Sequence, residues 1–186
     1  YILLQAFERL GSDVDFEIPD RIKDGYGINE SIIEQAHADG VEVILTCDNG
    51  ISAFHQVELA KKYGMTVVIT DHHEVPLDGE KEKIPPADAV IDPKQADCPY
   101  PFPEICGAVV AYKLVQVLYA RRGVPQMEWL DLLEFAAIAT VGDVMKLQDE
   151  NRILVRWGLK QIPHTASAGL RALVEACGLD IYNLTA

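Results

Sequence analysis

The stretch Val67-Val68-Ile69-Thr70-Asp71-His72-His73-Glu74 decides the fold, because it carries a β-branched run directly into a group of ionisable residues. A short apolar, β-branched run that ends in polar residues is typical of a buried strand of a parallel sheet. In open α/β sheets, ligands bind at the carboxyl ends of such strands. The stretch therefore predicts a strand over 66–70 whose end presents polar side chains to a ligand.

Outward from this stretch, short β-branched runs alternate with helical patterns. Each helical pattern is long enough to return the chain to a parallel neighbouring strand. The sequence therefore predicts an α/β protein with a mostly parallel β-sheet flanked by helices. The other elements predicted in this half are strands over 14–18, 41–46 and 89–91, and helices from Asn29 or Ser31 to Gly40 and from Ser52 to Gly64.

Two regions depart from this alternation. Seven of the ten prolines lie within 74–104, together with eight acids and three bases, which predicts a long surface connection. Beyond Gly107 the pattern is wholly helical, with predicted helices over 129–139, 150–162 and 167–177. We expect a single catalytic domain over 1–186, made of an α/β portion (1–106) and a helical portion (107–186). Because the first residues begin within a helical pattern, we also expect the chain to be a fragment.

Composition limits the classes of function. The chain has 186 residues and a formal net charge of −13, so it repels phosphate polymers at long range. Any nucleic-acid contact would have to be local, bridged by metal, or supplied by a further segment. The four cysteines show no Cys-x-x-Cys spacing, which favours reduced thiols in a cytoplasmic protein over a zinc site. The short apolar start predicts neither a signal peptide nor a membrane span.

Three stretches could carry chemistry, and each has a plain alternative. Asp48-Asn49-Gly50 follows a predicted strand, although the same residues also make an ordinary turn. Asp71-His72-His73 follows another strand, where the alternative is an exposed turn with incidental histidines. Asp143 interrupts a small, apolar stretch, as either a helix cap or a buried ligand paired with a cation.

Taken together, these stretches offer carboxylates and imidazoles without a thiolate. Such a donor set suits Mn²⁺ or Mg²⁺ better than a structural zinc ion. A pair of these ions can activate water for in-line attack on phosphorus, and their charge would reverse the local field of an acidic protein. The candidate residues are Asp48, Asp71, His72, His73 and Asp143.

The run Asp71-His72-His73, with Asp48-Asn49-Gly50 before it and Gly142-Asp143 after it, resembles the DHH phosphoesterase superfamily. The ordered set of motifs covers essentially all 186 residues and is most similar to the RecJ-like exonuclease branch. The further motifs that carry this resemblance are Ile18-Pro19-Asp20-Arg21, Gly25-Tyr26-Gly27, Cys106-Gly107-Ala108-Val109 and Leu147-Gln148-Asp149-Glu150-Asn151-Arg152.

The resemblance implies a metal-dependent phosphodiesterase that degrades single-stranded DNA from the 5′ end to mononucleotides, in DNA repair and recombination. It implies a site for two Mn²⁺ or Mg²⁺ ions in the intact protein. A helicase or a single-strand binding protein is the implied partner besides DNA. The implied roles are Asp48 and Asp143 as carboxylate ligands, His72 as the imidazole ligand, Asp71 as its support, His73 as a phosphate contact or metal neighbour, and Arg152 as a substrate contact or a helix-closing residue.

The same resemblance implies that two parts of the family's active site lie outside these residues: an Asp-x-Asp motif and a substrate-binding domain. We therefore expect this chain to be inactive or weakly active. Other DHH phosphoesterases remain alternatives, namely oligoribonucleases, cyclic-dinucleotide phosphodiesterases, exopolyphosphatases and pyrophosphatases. A scaffold without catalytic activity is a further alternative, although unpaired buried acids would be costly to retain.

Overall fold

The computed structural model describes residues 1–20, 22, 25 and 27–186. Arg21 and Tyr26, which belong to the sequence motifs above, lie outside the described residues, as do Lys23 and Asp24. The chain divides into two compact units, an α/β unit (Asp13–Val110) and a helical unit (Tyr1–Ser12 with Ala111–Ala186). The prediction of a single domain over 1–186 stays a prediction.

The elements of both units follow in chain order. They are α1 (Ile2–Arg9), α2 (Glu30–Ala38), β1 (Val43–Leu45), α3 (Phe54–Lys62), β2 (Thr66–Thr70), β3 (Leu77–Asp78), β4 (Lys81–Glu82), β5 (Ala89–Ile91), α4 (Gly107–Arg121), α5 (Met127–Leu130), α6 (Leu133–Gly142), α7 (Asp149–Gln161), a 3₁₀ turn (Ile162–His164) and α8 (Ala168–Ala176).

The predicted fold class is confirmed by a parallel sheet with β2 at its centre. β1 and β5 pair with the two edges of β2, in the order β1-β2-β5. The predicted strand over 66–70 has the observed bounds, and so does the one over 89–91. The region 74–104 is more ordered than a plain connection, because it also contains the antiparallel hairpin of β3 and β4.

The strand predicted over 14–18 is wrong. These residues form no helix or strand, and Phe16 and Ile18 are 62% and 76% exposed. Their alternation of apolar and acidic residues suits a strand, but a strand also needs a neighbour to bond with. β1 is shorter than the predicted 41–46, because the Val41 N–H donates to the Ala36 carbonyl at the end of α2.

The core of the α/β unit lies between α2, α3 and the sheet. Asn29 caps α2 as predicted, with its Oδ1 accepting from the Ile32 N–H at 2.9 Å. α3 begins at Phe54 instead of the predicted Ser52, because the Ile51 N–H is held by the Asp71 carboxylate. The buried residues of this core are Ile33, Val57, Ala60, Met65, Val67 and Ile69.

The helical unit confirms two predicted helices, α7 and α8, and corrects a third. The pattern over 129–139 forms two helices, α5 and α6, instead of one. The Arg9 guanidinium accounts for the break, since it donates to the Glu128 carbonyl of α5 and pairs with Asp131 at 2.6 Å. Among the described residues, no helix combines the length and the apolar character that a membrane crossing requires.

Candidate metal centre

The carboxyl ends of the three parallel strands deliver acids to one edge of the sheet. Asp71 directly follows β2, Asp92 directly follows β5, and Asp48 lies three residues beyond β1. Asp92 was not among the site residues predicted from the sequence. The signal was present, because an acid directly after a predicted strand is the pattern that identified Asp71.

Asp48, His72 and His73 form a group with the geometry of a metal site. Each offers one ligand atom, and these atoms lie within 4.8 Å of one another. His72 Nε2 lies 3.0 Å from Asp48 Oδ1, and the two imidazole rings are 4.7 Å apart. His72 is only 8% exposed, whereas the His73 side chain is 59% exposed. The group thus combines one buried ligand with one that is open to a substrate.

Asp71 is fully buried and holds the two histidines of this group in place. Its Oδ1 accepts from the His72 N–H at 2.8 Å and lies 2.6 Å from His73 Nδ1, while its Oδ2 accepts from Ile51 N–H. Because a carboxylate oxygen accepts, we assign the proton of this bond to His73 Nδ1, so Nε2 is the ring nitrogen that does not contact Asp71. The sequence analysis gave Asp71 the task of supporting His72; the ring that it contacts is that of His73.

Asp48 occupies an unusual backbone position against the start of α4. Its φ of 63° lies in the left-handed region, which Asp tolerates better than most residues. A Cβ on Gly107 would lie 2.4 Å from Asp48 Oδ1 and 2.8 Å from its Cα. Only glycine permits this approach, and it brings the positive end of the α4 dipole to the carboxylate. This close approach is a physical reason for a glycine at the second position of the Cys106-Gly107 motif.

Asp92 adds a buried acid beside the group. Its Oδ1 accepts from the Lys94 N–H at 2.9 Å, and its buried Oδ2 has no hydrogen-bond partner among the described residues. Burial raises the pKa of the Asp92 carboxyl, and the negative charge of Asp71 adds to this effect. A cation at this edge of the sheet would therefore relieve an unfavourable concentration of negative charge.

Asp143 and Arg152 belong to the helical unit. Asp143 is exposed at the C-cap of α6, so of the two sequence alternatives the structure shows a cap and not a buried residue. A carboxylate at a helix C-terminus opposes the helix dipole, and the next residue, Val144, has a strained φ of 55°. Arg152 is exposed on α7, and the roles of both residues stay predictions.

The residues present suit a hard or borderline divalent cation. One carboxylate and two imidazoles, with no thiolate among the group, favour Mn²⁺ or Mg²⁺ over a structural zinc ion. Residues 1–140 match the model of the DHH family, N-terminal domain. The chain belongs to the DHH family. The predicted family is thereby confirmed.

Curated relatives within the DHH family share most of this chain. The Single-stranded-DNA-specific exonuclease RecJ of Bacillus subtilis (strain 168) is 39% identical over 180 residues, which cover 97% of this chain and 22% of that protein. The protein of the same name from Escherichia coli (strain K12) is 36% identical over 192 residues, covering 97% of this chain and 32% of that protein. The chain thus spans between 22% and 32% of the length of these two relatives.

Solved structures agree with this placement in the DHH family. The crystal structure of exonuclease RecJ bound to manganese matches with a TM-score of 0.84 and 33% identity, over 97% of this chain and 44% of that one. The structure of RecJ in complex with Mn²⁺ from Thermus thermophilus matches with a TM-score of 0.77 and 31% identity, over 97% of this chain and 24% of that one.

Proposed function

We propose that this chain carries part of the active site of a metal-dependent phosphodiesterase that degrades single-stranded DNA from the 5′ end to mononucleotides, in DNA repair and recombination. The observation that carries the proposal is the group of Asp48, His72 and His73 at the carboxyl edge of a parallel sheet. The names of the relatives support the choice of substrate, and the manganese in the matching structures supports the choice of metal.

Asp48 and His72 would hold a Mn²⁺ or Mg²⁺ ion, with His73 beside it. The role of Asp143 as a further carboxylate ligand rests on its sequence motif alone. When bound, the metal supplies activation of water and neutralisation of charge on the phosphate. The positive end of the α4 dipole lies against Asp48 and holds this carboxylate at the sheet edge. Asp71 holds the His73 ring by Nδ1, so that Nε2 of this exposed side chain can face the metal as an acceptor or, on an imidazolium, donate to a phosphate oxygen.

The acidity of the chain makes this local arrangement necessary. With a net charge of −13, the surface as a whole repels a phosphodiester chain. A phosphate can approach the sheet edge only where charge is neutralised. Asp48, Asp71 and Asp92 meet there, and their hydrogen bonds within the described part of the chain come from imidazoles and backbone N–H groups. We therefore expect substrate binding at this edge to require the divalent ion.

The proposal extends to compartment and partners. All four cysteines are free, as expected for thiols kept reduced in the cytoplasm. An exonuclease that needs single strands also needs a source of them, and a helicase or a single-strand binding protein would provide it. Co-purification of either partner with the intact protein in the presence of single-stranded DNA tests this part.

Calorimetry with Mn²⁺ tests the metal site directly. We expect His72→Ala to weaken Mn²⁺ binding by at least about tenfold, since even the loss of a supporting residue has an effect of this size. His55→Ala is the matched control, because His55 lies on α3 with an exposed side chain away from the cluster residues. Identical heats for the wild type and His72→Ala would favour the scaffold alternative instead.

Hydrolysis tests the activity and the expected incompleteness of the site. Mn²⁺-dependent release of mononucleotides from 5′-labelled single-stranded DNA would be measured for this chain beside the full-length protein. We expect robust turnover by the full-length protein and little by the chain, because the family's Asp-x-Asp motif supplies further ligands. Equal turnover by both would show that the residues of this chain suffice.

A further inference from the structure

Helix α7 presents an exposed face that combines cations with an indole ring. This basic–aromatic face consists of Arg152, Ile153, Arg156, Trp157 and Lys160, all of which are exposed. The opposite face of α7 buries Leu154, Val155 and Gly158, so the helix is already anchored without Trp157. Trp157 is 55% exposed and Ile153 is 59% exposed. Tryptophan is enriched at interfaces, because its ring is apolar and its N–H is polar.

The charges on this face are available to a ligand. Arg152 and Arg156 form no ion pair within the described part of the chain, and Lys160 lies 4.8 Å from the centre of the Trp157 ring. Some cations elsewhere are paired, as in Arg9 with Asp131 and Lys61 with Asp88. Three positive charges on one helical face, of which Lys160 also contacts the Trp157 ring, are complementary to a polyanion in a chain with a net charge of −13.

A groove continues the same surface. Its volume is about 470 Å³, and Arg156, Lys160 and Tyr182 are among its lining residues. The Tyr182 side chain is exposed beside them. Cations that track a phosphate backbone, interleaved with aromatic rings on which bases stack, are the features of surfaces that bind single-stranded nucleic acid. An acidic peptide would use the cations but would not stack on the indole.

From this arrangement we infer that the basic–aromatic face and its groove bind single-stranded DNA, with a base stacked on Trp157 and backbone phosphates at Arg156 and Lys160. The inference rests on the proposed function for the identity of the polymer and adds a second contact surface for it. It requires no divalent ion, which separates it experimentally from binding at the sheet edge.

The test uses this chain in EDTA, with an oligodeoxythymidylate as the probe. The chain has two tryptophans, so Trp129→Phe leaves Trp157 as the only one and Trp157→Phe leaves Trp129. We expect the oligonucleotide to quench the fluorescence of Trp129→Phe and to leave that of Trp157→Phe unchanged. Quenching of similar size in both variants would overturn the inference.

A charge-reversal pair tests the phosphate contacts by anisotropy of a labelled oligonucleotide. The double variant R156E/K160E should bind the oligonucleotide at least about tenfold more weakly than the wild type. The control is R121E/R122E, which makes the same change of charge at two exposed positions, the last residue of α4 and the one after it. This control should bind like the wild type. Equal weakening in both pairs would show a non-specific charge effect and overturn the inference. Displacement of the DNA by an oligoglutamate of equal charge at equal concentration would also overturn it, in favour of an acidic peptide.

The two proposals can fail separately. His72→Ala should bind the oligonucleotide in EDTA as the wild type does, because the surface on α7 needs no metal. Absence of Mn²⁺-dependent hydrolysis by the full-length protein, with retained quenching of Trp157 in this chain, would reject only the proposed function. Hydrolysis that persists without quenching would reject only the surface on α7. Circular dichroism of each variant confirms that it is folded.

Discussion

At the scale of single residues, the close approach of Gly107 to Asp48 links the fold to the metal site. A Cβ at position 107 would lie 2.7 Å from the Asp48 Cβ and 2.8 Å from its Cα, so the backbone itself would have to move. We expect Gly107→Ala to displace Asp48, to weaken Mn²⁺ binding by about tenfold or more, and to lower the free energy of unfolding by about 1–3 kcal/mol.

Gly169→Ala is the control for that variant. It makes the same chemical change in α8, where the nearest atom to the new Cβ is Ser167 Oγ at 3.9 Å. It should gain up to about 1 kcal/mol from the higher helix propensity of alanine and leave Mn²⁺ binding unchanged. Calorimetry and urea denaturation measure both quantities. A Gly107→Ala chain that binds Mn²⁺ like the wild type would show that Asp48 is not a ligand.

Glu134, a buried acid of the helical unit, gives a pH-dependent prediction. It is buried on α6 and accepts from the Thr165 hydroxyl, and burial raises the pKa of its carboxyl despite that hydrogen bond. The folded state therefore favours the protonated form, and the free energy of unfolding falls as the pH rises from the unfolded pKa of about 4.3 through the raised folded one. Glutamine does not ionise, so Glu134→Gln avoids this fall in the free energy of unfolding. We therefore expect the variant to have a higher Tm than the wild type at neutral pH.

The gain in Tm should shrink towards about pH 4, where Glu134 of the wild type is itself protonated. Glu17→Gln removes the same charge at an exposed position and controls for net charge. Scanning calorimetry at neutral and acid pH measures the difference. A Glu134→Gln chain that is less stable than the wild type at neutral pH would mean that the charged hydrogen bond to Thr165 outweighs the cost of burial.

The sequence predicts which residues gather at the sheet edge better than it predicts what they touch. Asp48, His72 and His73 follow from one rule, that the carboxyl ends of parallel strands share an edge. The rule extends to Asp92, which directly follows β5 and was not among the residues predicted from the sequence. The contact between Asp71 and His73 depends on ring orientations that tertiary packing sets, and no sequence pattern encodes them.

At the scale of elements, local signals predict helices well and strands only where partners exist. Asn29 and Ser167 cap α2 and α8 with their own side chains, so a short window of sequence contains the cause. The 14–18 segment has strand-like alternation but forms no strand, since pairing depends on another segment. The break between α5 and α6 depends on Arg9, more than a hundred residues away along the chain, and is likewise non-local.

The packing of α6 against α7 gives a prediction at this scale. A Cβ on Gly158 would lie 2.3 Å from the Ala137 Cβ and 2.9 Å from the Leu133 carbonyl oxygen. Gly158→Ala should separate the two helices and lower the free energy of unfolding by about 1–3 kcal/mol, although alanine is the better helix former. Urea denaturation measures the free energy of unfolding of this variant, with Gly169→Ala as the control.

Combining Gly158→Ala with Ala137→Gly removes the clashing methyl group from the other helix. The double variant should recover part of the stability, so the two changes should not be additive. Simple additivity would place the cause of the loss at the Leu133 carbonyl and not at the contact between the two methyl groups.

At the scale of the whole molecule, a net charge of −13 makes stability depend on cations in two separable ways. Any salt screens the general repulsion and should raise the Tm. Mn²⁺ should raise it further by binding only the folded chain, by about 2.7 kcal/mol at a hundredfold excess over the dissociation constant, or roughly 5–10 °C. The rise in Tm that Mn²⁺ causes beyond the rise in NaCl at the same ionic strength measures binding at the specific site.

That excess should disappear in His72→Ala, while the effect of NaCl stays the same in both proteins. Screening by salt acts on the charges of all 29 acids of the chain, so one substitution changes it little. Stabilisation by bound Mn²⁺ depends on a few ligand atoms that meet at one edge of the sheet, and His72 supplies one of them. Thermal unfolding of both proteins in the two salts measures the two terms together. An equal response to Mn²⁺ in His72→Ala would assign the whole effect to diffuse charge and leave the cluster without a role in binding.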